Sequence, residues 1–195
     1  ASGVFSDHRL IGLAVGNMLS VTPYRLWMNW TTLFLVNSYG LTESAANRGF
    51  VWMPPVFGTL GGFAGSVLAV YFARSRSIAS ARVRTAWIGA AALLVTALAP
   101  QLGSPLAATI VIAWSLFWTV AMSSNTYALP IDYFGAGRAA TGVSLLTASY
   151  GLMQAGLSPA IGALVDRVGF GPVCAIVAVL PLVGIAVVDR TRGGS

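Results

Sequence analysis

The sequence predicts an all-α membrane protein, a single bundle of six transmembrane helices spanning residues 1–195. Three observations predict it. Only 8% of the residues are charged and 56% are hydrophobic, whereas a soluble domain carries about 25% charge. Six long apolar runs divide the chain, at about 9–38, 47–72, 84–102, 105–130, 138–164 and 172–188. Short gaps between them (TESAAN, ARSRSIASARVR, QLGS, IDYFGAGR, DRVGFG) hold most of the charge. Mean hydropathy is +0.79. Helices are favoured over a barrel because each run stays apolar for far longer than a barrel strand of about ten residues.

The first run is the longest and contains Pro23, Arg25, Asn29, Thr31 and Thr32. A helix starting at Leu26 would run only about 15 residues before the TESAAN gap, short of the roughly 20 that cross the hydrocarbon. A helix starting near Arg9 has length to spare for tilt and for a bend at Pro23. Arg25 then lies just past its middle, where a charge must have a job. The alternative is an arginine snorkelling to the interface.

The second run reads PPVFGTLGGFAGSVLAVYF. Gly58, Gly62 and Ser66 repeat every four residues, as do Gly61 and Gly65, a spacing that lets two helix backbones approach closely. Pro54 and Pro55 predict a bend near its start and Pro181 one in the sixth run, because proline removes a donor and clashes with the preceding turn. The loop that follows, about 73–83, carries Arg74, Arg76 and Arg82, with Arg84 beside it. The fourth run carries Ser123, Ser124, Asn125 and Thr126 beside Trp114, Trp118 and Tyr127. The fifth carries Ser144, Thr147, Ser149, Tyr150 and Gln154, with Gly151, Ala155 and Gly156 as small residues. Thr147, Tyr150 and Gln154 fall near one stripe by helical spacing. Polar side chains facing lipid are costly, so these sets are expected to face inward. Asn29, Asn125, Thr147, Tyr150 and Gln154, with Arg25, are the candidate lining of a substrate cavity. Helix-to-helix hydrogen bonds without a substrate are the competing reading.

Charge placement predicts orientation. All eleven Lys+Arg residues are arginine. If six helices alternate, Arg9, Arg74, Arg76, Arg82, Arg84, Arg138, Arg190 and Arg192 share one side and only Arg48 and Arg167 the other. That bias places both ends of the segment in the cytoplasm. The acids Asp7, Glu43, Asp132, Asp166 and Asp189 all lie in gaps or at run ends. No carboxylate is at mid-membrane to neutralise Arg25, which favours an anionic substrate as its partner. Nucleic-acid binding is not expected, because the arginines sit between apolar runs rather than along one face. No cofactor, metal or haem site stands out, and no nucleophile, base and orienter set of the enzyme kind. Cys174 is alone, so no internal disulfide can form. The start, ASGVFSDHRL, lacks Met and any signal-peptide pattern, which suits a chain beginning inside a longer protein.

Several stretches resemble a known family. TTLFLVNSYGLTESAANRGFVWMPPVFGTLGGFAGSVL, the arginine-rich loop after it, YALPIDYFGAGRAATGVSLLTASYG with Pro130, Asp132, Arg138 and Gly142, and SPAIGALVDRVGFGP with Gly162, Asp166 and Gly169 carry the likeness. They resemble the C-terminal six-helix half of a major facilitator superfamily transporter, in the anion:cation symporter branch of hexuronate and organic-acid carriers. The resemblance implies helices seven to twelve of a twelve-helix carrier in a bacterial inner membrane. Its implied partners are the lipid bilayer, a missing N-terminal six-helix half, and a small organic anion moved with a proton or cation. Two departures stand out. Val67 occupies the place of the usual acidic residue of the loop motif after helix eight. The branch's early helix-seven arginine aligns with Ser20, and Arg25 is five positions on, about 140° round a helix. The alternative to a carrier half is a non-transporting membrane bundle, acting as a subunit, an assembly component or a truncated relic.

Overall fold

The computed structural model describes residues 8–192, the side chain of Arg192 excepted; Asp7 lies outside them. Among the described residues the secondary structure is entirely helical, in six rods joined by short turns. The first rod is α1 (His8–Ser20) followed by α2 (Thr22–Tyr39). The second begins with α3 (Glu43–Ala46), widens through a π-helical turn at Asn47–Val51 and continues as α4 (Met53–Ala73). The third is α5 (Ile78–Ala92), tightening to 3₁₀ geometry over Leu93–Gln101. The last three are α6 (Pro105–Phe134), α7 (Ala136–Val168) and α8 (Phe170–Arg192).

Four rods, Glu43–Ala73, Ile78–Gln101, Pro105–Phe134 and Phe170–Thr191, are long and apolar enough to cross a membrane. The other two differ for identifiable reasons. The first rod breaks at Val21 into pieces of 13 and 18 residues. The 33-residue α7 has length but interrupts its apolar surface with Arg138, Ser144, Thr147, Ser149, Gln154 and Ser158.

Side-chain contacts bring Arg82 and Arg84 together with the ends of α4, α6 and α8. Arg82 on α5 pairs with Asp132 on α6 at 2.8 Å. Trp87 Nε1 donates to Asp189 on α8 at 3.1 Å. Arg84 lies over the Phe72 ring of α4, 4.7 Å from its centroid. Gly12 of α1 abuts Thr191 of α8. The starts of α1, α5 and α7 therefore meet the ends of α4, α6 and α8.

Small residues decide how closely the rods pack. A methyl group on Gly65 would lie 2.5 Å from the Ala121 carbonyl oxygen and 2.7 Å from Ala121 Cα. On Gly61 it would lie 2.6 Å from the Phe117 carbonyl carbon. So α4 rests its backbone directly on α6. Gly58 and Gly62 sit beside this seam, where a methyl group would meet Val120 at an ordinary 3.4 Å. A second seam joins α1 to α8. There, methyl groups on Gly16 and Gly184 would each strike the other's carbonyl oxygen, at 2.7 and 2.6 Å. The far end is filled by an aromatic cluster in which Phe34 meets Trp27, Tyr39 and Phe170 edge-on at 5.4, 5.9 and 5.1 Å.

Candidate functional site

The break in the first rod is built from three adjacent residues. Pro23 has no N–H to donate to the Leu19 carbonyl one turn back. The Thr22 hydroxyl takes that place, donating to Leu19 O at 2.9 Å with Met18 O at 3.2 Å. Thr22 and Pro23 are both buried. The opened backbone is thereby satisfied without water, as an apolar surrounding demands.

The break places Val21 and Tyr24 against the middle of α6. Together with Thr119, Val120, Ser123, Ser124 and Tyr127 of α6 and Tyr150 of α7, they line a cavity of about 410 Å³. That is the size of a small-molecule pocket. Its chemistry is hydroxyl-rich. Thr119 and Ser124 donate back to helix carbonyls, Ser115 O at 2.7 Å and Ala121 O at 3.0 Å. The Tyr150 phenol accepts from Gln154 Nε2 at 2.6 Å, which fixes its tilt and leaves its own proton free to donate elsewhere. A smaller cavity of about 230 Å³ continues on the other side of Tyr24, between Met28, Pro55, Gly58, Thr59, Leu116 and Val120.

Arg25 follows Tyr24 on α2 and is half-buried. With the Asn29 amide turned so that its oxygen faces the guanidinium, Nε and Nη2 both donate to it at 3.2 Å. Asn29 is neutral, so it orients the charge without cancelling it. Among the described residues the ion pair of Arg82 and Asp132 is elsewhere, at the arginine-rich end. Arg25 and Asn29 are not in the walls of either cavity beside Tyr24.

The remaining predicted residues separate into distinct places. Tyr150 lines the larger cavity and Gln154 touches it through Tyr150. Thr147 lies one turn before Tyr150, exposed, and donates to Val143 O at 3.0 Å. Asn125 is buried and turned away, with Nδ2 donating to Gly65 O of α4 at 3.0 Å and Ala121 O at 2.8 Å. It fastens the glycine seam. Pro54 and Pro55 occupy the first turn of α4, where helix N–H groups have no partner in any case, directly after the π-helical turn. Pro181 lies inside α8, which continues through it. Arg74 stands over Tyr71, Arg76 is exposed in the turn, Arg138 is exposed in the first turn of α7, and Asp166 is exposed near its end.

Tyr24 and Thr119 are absent from the cavity lining that the sequence predicts. A signal for Thr119 existed: Ser115, Thr119, Ser123 and Tyr127 repeat every four residues. Tyr24 carried none, because its position depends on the direction the chain takes at the Pro23 break. Among the described residues no three His, Cys, Asp or Glu side chains are grouped to hold a metal ion.

Comparison with known proteins bears on this arrangement. No family model matches the chain. It is 28% identical over 189 residues to the hexuronate transporter of Escherichia coli strain K12, and equally to that of strain O157:H7. The match covers 95% of this chain and 43% of each relative, so the chain spans less than half the length of the curated relatives it matches. It is an integral-membrane helical bundle with distant homology to a bacterial transporter.

Proposed function

We propose that this chain is the C-terminal six-helix half of a secondary carrier for a small organic anion, of the hexuronate or sugar-acid class, belonging to the major facilitator superfamily. The proposed carrier lies in a bacterial inner membrane with both ends of this segment cytoplasmic, and moves its anion with a proton or other cation. The observation that carries the reading is Arg25. It is a half-buried charge on a strongly apolar bundle, hydrogen-bonded to a neutral amide and one residue from Tyr24 in a cavity walled with phenols and hydroxyls. A guanidinium presents a fork of donors that matches a carboxylate. In this reading Arg25 swings from Asn29 to the substrate carboxylate when the cavity is occupied. Tyr150, Ser123 and Thr119 meet the sugar hydroxyls, and Gln154 keeps the phenol of Tyr150 in place. The similarity to hexuronate transporters supports the same substrate class.

The test is uptake of labelled hexuronate by the full-length protein in proteoliposomes, with and without a proton or sodium gradient. Arg25→Ala is expected to lower uptake by about 10- to 100-fold, the worth of about 1.5–3 kcal/mol for a hydrogen bond to a charged group, while the amount inserted stays normal. Arg25→Lys is expected to retain part of the rate. Tyr150→Phe is expected to weaken apparent affinity several-fold. Uptake unchanged in Arg25→Ala across sugar acids and dicarboxylates would remove Arg25 from the mechanism.

A further inference from the structure

A second groove, unrelated to the cavity beside Tyr24, runs along the outside of α4. It has a volume of about 510 Å³ and is walled by Phe63, Val67, Leu68 and Tyr71 of α4 and Phe117 and Trp118 of α6. Phe63 is 70% and Val67 69% exposed, among the most exposed large apolar side chains of the described residues. The flank of α4 that faces the central cavity is a different one. Thr59 lines the 230 Å³ cavity, and Phe63, Val67 and Tyr71 of the groove turn progressively away from it, by about 40°, 80° and 120° round the helix. A bundle closing over the cavity would therefore leave this groove open to lipid.

The groove ends in positive charge. Arg74 lies over the Tyr71 ring at 5.9 Å and Arg84 over the neighbouring Phe72 ring at 4.7 Å. Arg74, Arg76 and Arg84 are exposed, and among the described residues none has a carboxylate in salt-bridge range, although Arg82 nearby is paired with Asp132. The rings hold two guanidiniums at the mouth of the groove without neutralising them. From Tyr71 to Phe63 is eight residues, about 12 Å of helix, so the apolar part extends inward from the charged end over a good part of one leaflet.

We propose that this groove binds one anionic phospholipid, with an acyl chain along Phe63, Val67 and Trp118 and its phosphodiester at Arg74 and Arg84. A zwitterionic lipid would fill the apolar part equally but bring an ammonium to the arginines. Each basic residue near an anionic headgroup contributes about fivefold in affinity. The groove also contains its own reporter, Trp118.

The test uses the purified full-length protein in micelles with phosphatidylglycerol or phosphatidylcholine carrying brominated chains, which quench nearby tryptophan. The Trp118 component is isolated by comparison with Trp118→Phe. Half-maximal quenching is expected at an approximately tenfold or lower mole fraction of the anionic lipid than of the zwitterionic one. The double substitution Arg74→Gln and Arg84→Gln, at exposed positions, is expected to bring the two lipids within about twofold. Val67→Phe, which narrows the groove and leaves the arginines intact, is expected to reduce quenching by both. Equal quenching of the unaltered protein by the two lipids would overturn the proposal, as would a preference that survives the arginine substitutions. Trp118 protected from both lipids in a particle of dimeric mass would assign the groove to a second copy, and would also overturn it.

Discussion

Adding a single methyl group at Gly65 tests whether the α4–α6 seam holds the bundle together. In Gly65→Ala the new carbon would sit 2.5 Å from the Ala121 carbonyl oxygen, with Ala121 Cα at 2.7 Å and the carbonyl carbon at 2.9 Å. These atoms are backbone, so no side chain can turn away. Ordinary contact begins near 3.4 Å, and the helices must separate by about 0.9 Å at this point. The same movement stretches the bond from Asn125 Nδ2 to Gly65 O, now 3.0 Å, to about 3.9 Å, past hydrogen-bond range. Overpacking of this kind costs about 1–3 kcal/mol. An interhelical hydrogen bond inside a membrane protein contributes about 0.6 kcal/mol, and up to about 1.7. The expected loss is about 2–4 kcal/mol.

Gly62→Ala is the matched control. It lies three residues away on the same helix, and its methyl group would meet Val120 Cγ1 at an ordinary 3.4 Å. Alanine is also the better helix former by about 1 kcal/mol where tertiary contacts are indifferent. Both variants would be unfolded thermally in the same detergent, followed by near-ultraviolet circular dichroism. Gly65→Ala is expected to unfold well below the unaltered protein and Gly62→Ala at or above it. Equal midpoints for the two variants would refute the claim that backbone contact, rather than small volume in general, is what these glycines provide.

Two further outcomes follow from particular contacts. Arg82→Gln and Asp132→Asn, combined in a double-mutant cycle, are expected to show about 1.5–3 kcal/mol of coupling, because the pair meets at 2.8 Å with side chains only 23% and 10% exposed; coupling below about 0.5 kcal/mol would place the pair with ordinary surface ion pairs. Thr22→Val is expected to destabilise the protein by about 1–2 kcal/mol when Pro23 is present and by clearly less in a Pro23→Ala background, where the restored N–H can reach Leu19 O, and additive effects in the same unfolding measurement would show that the hydroxyl does not compensate for the proline.

The elements were legible where the signal was periodic and local. Continuous apolarity marks the helical runs, and glycines four apart on α4 announce a close seam. What could not be read was which of two interleaved glycine sets touches a neighbour. Gly58–Gly62 and Gly61–Gly65 have the same spacing, and only the rotation of α4 about its axis makes Gly61 and Gly65 the contact pair. The α1–α8 seam at Gly16 and Gly184 was invisible for a related reason: it joins the two ends of the chain, and each partner alone is an unremarkable glycine. Polarity inside a run did not by itself mark inward facing, since Asn29, Ser144 and Thr147 are exposed, nor did it separate roles. Asn125 and Tyr150 are both inward; one fastens α6 to α4 and the other lines the cavity, and the difference is a direction round the helix fixed by packing.

The side of α7 away from the bundle supplies an argument of a different kind. Gly151 and Gly156 have open space where a side chain would stand, and Leu152 is 72% exposed. Thr147, one turn from the cavity-lining Tyr150, is exposed as well. Lipid is a poor neighbour for such a surface, since it neither fills gaps between small residues as closely as another helix nor offers partners to hydroxyls. The polarity that keeps α7 from qualifying as a membrane span by composition therefore has the same origin as its open face. Both are accounted for if further helices pack there and close the cavity between Tyr24, Tyr127 and Tyr150. This agrees with the proposed reading of the chain as one half of a carrier, in which the other half would meet α7 along Thr147, Gly151 and Ala155. The lipid groove of Phe63 and Val67 lies on another helix, so the two proposed surfaces make separable demands: one would be met by a protein partner with small residues or hydroxyls of its own, the other by an acyl chain and a phosphate.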